Sequence, residues 1–142
     1  MDESSYRQVL AASIQLHCPF EKSILGSCAA CEKAERRNIA EREVVACSDA
    51  DALDRCMTLR DYLRHSFAFA LHKPHIDGPL PHAQEMRVQC GGLTGLQVLL
   101  DGNDQIHDVS ELVVMAQQKF GGFEDFPYSQ IVQLAHTHYK AR

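Results

Sequence analysis

Six cysteines, Cys18, Cys28, Cys31, Cys47, Cys56 and Cys90, are the residues of this 142-residue chain whose type and spacing point to chemistry. The first five read Cys-x9-Cys-x2-Cys-x15-Cys-x8-Cys. Two thiolates three positions apart can grip one metal centre from a single turn, and single cysteines brought from other segments can complete a four-thiolate cage. Structural zinc usually takes two tight pairs, because one small tetrahedral ion needs its ligands within a few ångströms. Only one tight pair, Cys28 and Cys31, exists here. An iron–sulfur cubane offers four separated iron corners to scattered ligands, so the spacing favours a 4Fe-4S cluster, with zinc as the alternative.

Cys28 and Cys31 lead the expected ligand set. Cys47 follows, because it precedes a predicted helix N-terminus, where backbone N–H groups would lower a thiol pKa and favour an anionic centre. Cys56 and Cys18 compete for the fourth place. Cys90 is a further alternative: Gly91 and Gly92 after it leave backbone amides open to cluster sulfides. Against all six stands the reading of cysteine as a small core hydrophobe, which suits Cys56 on an apolar helix stripe. A dithiol active site at Cys28-Ala29-Ala30-Cys31 would belong at a helix start after a strand, and no strand is predicted just upstream.

Other residues say less. His17 adjoins Cys18 and is a candidate second-layer donor or unusual cluster ligand. His136 and His138 would point about 200° apart on a helix, and His72, His75 and His82 read as surface loop residues. Arg36, Arg37, Arg42, Arg55, Arg60 and Arg64, interleaved with glutamates, read as a solvated ion-paired surface that could also meet an acidic partner. Gly91-Gly92-Leu93-Thr94-Gly95 fits neither phosphate-binding glycine pattern, and no nucleophile elbow is present.

The elements that must position the thiols are mainly helical. The stretch from Tyr6 to Leu16 has one apolar face, and Ala29 to Glu43, rich in helix formers with a Glu32/Arg36 pair, reads as a short charged helix. Ser48 with Asp51 resembles a capping box for a helix from Asp49 to Leu71, whose stripe includes Leu53, Cys56, Leu63 and Phe67. Asp108 with Glu111 caps another, ended by Gly121-Gly122, and Pro127 opens the last. The expected architecture is a mainly α single domain spanning 1–142: a Cys-rich half at 1–73, a loop at 74–86, and a Gly-punctuated helical half at 87–142. One short strand is expected near 87–90.

Composition narrows the function. Fourteen Lys and Arg against 19 Asp and Glu give a net charge of −5, which disfavours nucleic acid as a partner. Apolar runs of about five residues fall short of the roughly 20 a membrane span needs, so no membrane insertion is expected. The acidic opening Met1-Asp2-Glu3-Ser4-Ser5 lacks the pattern of a secretory signal, which makes the expected setting cytoplasmic and disulfides unexpected. The reading is an iron–sulfur protein of electron transfer, or a redox-active accessory subunit, with a protein redox partner. No substrate site is visible, so a stand-alone enzyme is not expected. The alternative is a zinc-stabilised protein–protein interaction module.

Overall fold

The computed structural model describes residues 2–139; positions 1 and 140–142, the outer limits of the two expected halves, lie outside the described residues. Helix α1 (Glu3–Ser13) starts on the Asp2 carboxylate, which accepts from the Ser5 N–H at 2.7 Å. A short α2 (Glu21–Leu25) follows. The chain then forms an antiparallel hairpin, β1 (Ala34–Ile39) with β2 (Arg42–Cys47), registered from Ala34 opposite Cys47 to Ile39 opposite Arg42.

That hairpin replaces the helix expected over Ala29 to Glu43. Its tight turn uses Ala40 and Glu41 at φ 51° and 68°. Left-handed pairs of this kind suit two-residue hairpin turns, but their usual signal is Asn-Gly or Asp-Gly, which is absent here. Burial of Val44 and Val45 decides the outcome over local helix propensity. Arg36 accordingly pairs across the hairpin with Glu43 rather than along a helix with Glu32. The segment before α2 extends the pairing, since the Cys18 N–H donates to Val45 O and the Cys47 N–H to Leu16 O.

Helix α3 (Ala50–Ser66) carries Leu53, Cys56 and Leu63 of the expected stripe but ends short of Leu71, with Phe67 as its C-cap, and it is capped by Asp49, not Ser48; the Asp49 carboxylate accepts from the N–H groups of Asp51 and Ala52. The expected loop at 74–86 gives way at α4 (His82–Met86). Its backbone continues in right-handed helical conformation through a π-helical turn (Arg87–Gly91) into α5 (Gly92–Asp101). The strand expected near 87–90 is this π turn. Helix α6 (Val109–Phe120) is capped by Asp108 and stopped by Gly121 at φ 94°, as the sequence predicts. A 3-10 turn (Phe123–Asp125) leads into α7 (Tyr128–His138).

The main core lies among α3, α5, α6 and α7, where Leu59, Leu63, Leu93, Leu96, Val113 and Ile131 are fully buried. Each such side chain contributes about 1.5–3 kcal/mol by leaving water. Gly91 and Gly92 are packing residues rather than a turn or an amide platform: a Cβ at Gly92 would lie 2.8 Å from a Leu63 methyl. A smaller cluster of Tyr6, Ile14, Val44 and Ala46 seats α1 on the hairpin. Between the hairpin and α3, the main core meets the cysteines. No helix among the described residues is long and apolar enough to cross a membrane.

Candidate metal centre

Four cysteines from four segments converge on one recess: Cys18 before α2, Cys31 before β1, Cys47 at the end of β2, and Cys56 on the inner face of α3. Phe20, Ile24, Leu53 and Val109 supply apolar wall. The recess holds about 330 Å³ of free space, mouth included, and is narrow inside. The hairpin does most of the gathering. Its β2 fixes Cys47, holds Cys18 through the Val45 carbonyl, and places Ala34 and hence Cys31 opposite Cys47.

Burial sets the protonation of these thiols. Desolvation pushes Cys18 and Cys56 up to about 12, and for both the neighbouring thiols add to the rise. Burial also raises Cys31. Opposing it, the backbone amide of Phe20 lowers Cys18 and those of Lys33 and Ser110 lower Cys31, whose thiol the Asp108 carboxylate raises in turn. Ser110 lies in the first turn of α6, so the positive end of that helix faces the Cys31 sulfur. Cys47 stands two residues before the cap of α3, as the sequence suggests, and its Sγ donates to the Asp49 carbonyl at 3.2 Å.

The chemistry of this donor set fits a thiolate-held centre. Burial keeps the protons on Cys18, Cys31 and Cys56, and bound cations would displace them. Amide N–H groups already face two of the sulfurs, and apolar walls keep water away. Among the described residues, no three of His, Cys, Asp or Glu stand at the spacing that holds one metal ion. A single ion would therefore require the thiols to draw together, and a cubane would require the recess to open as well.

Three of the four leading candidates, Cys31, Cys47 and Cys56, thus line the recess, with Cys18 as the fourth. Cys28 does not join them. It is disulfide-bonded to Cys90 across a Cα–Cα distance of 5.9 Å, and neither residue lines the recess. This corrects two expectations together, Cys28 as a leading ligand and Cys90 as an alternative one, and it supplies a disulfide where none was expected. The physical reason lies in how the segment is anchored: the Cys28 and Ala29 N–H groups both donate to Ser23 O after α2, Ala30 is tied to Ile106 O and to the Val109 N–H, and the Cys31 carbonyl accepts from the Ala34 N–H at the start of β1. Cys28 is thereby held beside Cys90 and Cys31 beside the hairpin.

His17 also turns away, its Nε2 bonded to Glu21 Oε2, whose oxygen also accepts from the Val45 N–H. Arg64, expected on a solvated surface, is buried against Glu85 with Nη2 to Oε1 at 2.7 Å. Gln89 donates to Glu85, and Ser23 donates to Gln89, which ties α2, α3 and the π turn together. The roles of Lys33 and Ser110 beside Cys31 were not legible in the sequence, although Asp108 marked the helix start that brings Ser110 there. Comparison with protein families, with curated proteins and with solved structures gives no match to this chain.

Proposed function

We propose that this chain is an iron–sulfur protein holding a 4Fe-4S cluster on Cys18, Cys31, Cys47 and Cys56, and serving electron transfer or a redox-active accessory role. The convergence of four unpaired thiols on one apolar recess carries the reading. Such a cluster passes single electrons. The chain's own residues hold it, exclude water and direct N–H groups at its sulfurs. Cys18 also lines an open groove with Lys22, Met57 and Arg60, which offers a protein redox partner bearing carboxylates an approach to the centre. A cytoplasmic setting belongs to this reading, because free thiols persist under reducing conditions.

The narrowness of the recess favours a second reading, a zinc-stabilised interaction module, since a single ion demands the least opening. Iron, zinc and acid-labile sulfide analysis with a visible spectrum, on protein purified without oxygen, separates the two. About four irons and four sulfides per chain, absent from Cys31→Ala, is the expected result. One zinc without sulfide favours the module, and no metal in either protein overturns both.

A further inference from the structure

The Cys28–Cys90 disulfide lies outside the candidate metal centre, and its two sulfurs occupy unlike places. Cys90 is 0% exposed, inside the π-helical turn, whereas Cys28 is half-buried and lines an open groove. The groove, with about 1030 Å³ of free space, is flanked by Arg36, His107 and His138, with Asp104 as the opposing charge. Ser27, immediately before Cys28, is held at φ 62°. Strained non-glycine residues and π turns both concentrate at functional positions. The other four cysteines remain unpaired. Given the cytoplasmic setting proposed above, a disulfide that coexists with four free thiols is one that forms and breaks.

We infer that the Cys28–Cys90 disulfide is a thiol-exchange site whose co-substrate is a low-molecular-weight thiol entering this groove. The incoming thiolate attacks Cys28 Sγ, the accessible sulfur. A bond forms between the two, the Cys28–Cys90 bond breaks, and Cys90 leaves as a thiolate that takes up a proton. A second thiol molecule attacks the mixed disulfide, giving the small-molecule disulfide and the Cys28 thiol. Two thiols are oxidised and one protein disulfide is reduced; run backwards, the same steps restore it. The Arg36 guanidinium beside the groove favours the anionic nucleophile. Burial of Cys90 directs attack to Cys28.

The test uses the full chain in mixtures of reduced and oxidised glutathione, quenched with acid, alkylated, and mapped by mass spectrometry. The oxidised fraction of the Cys28–Cys90 pair is expected to follow the mixture ratio. Cys90→Ser is expected to accumulate glutathione on Cys28 at least tenfold faster than Cys28→Ser accumulates it on Cys90. A pair that stays oxidised at every ratio, one never found oxidised, or equal labelling of the two sulfurs would overturn the inference. Should either variant fail to fold, the titration of the unmodified chain decides alone. The readout is sulfur mass, so it stands apart from whether iron or zinc is found.

Discussion

The cysteines of the recess and the cysteines of the crosslink sit in the same chain, yet opposite physical circumstances hold them. Cys18, Cys31, Cys47 and Cys56 come from four segments and share one apolar hollow. Cys28 and Cys90 join two segments 62 residues apart, one sulfur at a groove and the other in the core. Cys28 and Cys31 are near neighbours in sequence and still fall on different sides of that division. The difference teaches that a two-residue spacing alone does not make a shared ligand set. Backbone bonds at Ser23 and at Ala30 fix where each thiol goes, and here they separate the pair.

The comparison breaks most sharply under serine substitution. Cys18→Ser, Cys47→Ser or Cys56→Ser should each lower bound metal by roughly tenfold or more, while Cys28→Ser should keep it; equal loss from all four, measured by metal analysis, would erase the distinction. Next in size is the buried pair of Arg64 and Glu85, whose side chains are 9% and 2% exposed. Arg64→Met leaves an uncompensated carboxylate and should destabilise the fold by about 3–5 kcal/mol in urea titration. Leu93→Ala, in the helical core away from the recess, should cost about 2–5 kcal/mol with metal per folded chain unchanged. A parallel fall in metal content would show that core and recess are not separable.

The smallest effect concerns the start of α1. The Ser5 N–H bonded to Asp2 holds that carboxyl below its ordinary 3.8. A depressed folded value means the cap contributes fully above the unfolded carboxyl's range and is lost as pH falls through the folded value. Protection of the α1 amides, taken as their exchange relative to an unstructured amide at the same pH, should therefore fall below about pH 4, a change that Asp2→Asn abolishes, while protection in α7 holds. Equal loss of protection in both helices would instead report global acid unfolding.

Much of the helical framework was legible because its signals are local. Asp108 and Gly121 bound α6, and the stripe through Leu53, Cys56 and Leu63 defines α3. The hairpin was not, because Ala40-Glu41 carries no turn signature and the strands win by burying Val44 and Val45 against α1 and the core. The same gap explains which thiols meet. Cys47 and Cys56 could be named from helix position, Cys31 was named only through a spacing with Cys28 that the structure breaks, and the place of Cys18 depends on its pairing with β2. Nor could the partner of Cys28 be read, since a contact across 62 residues leaves no trace in local spacing.

That separation also gives the crosslink a history during synthesis. At roughly 5–20 residues per second, Cys28 leaves the ribosome roughly 3–12 s ahead of Cys90. Throughout that interval its nearest thiol along the chain is Cys31, so premature pairing of those two is the error a nascent chain must avoid. Val109 and Ser110, which complete the recess wall, emerge later still. The hollow that shelters the four thiols therefore closes only after Val109 and Ser110 have emerged, and any metal it takes is a guest that arrives after them.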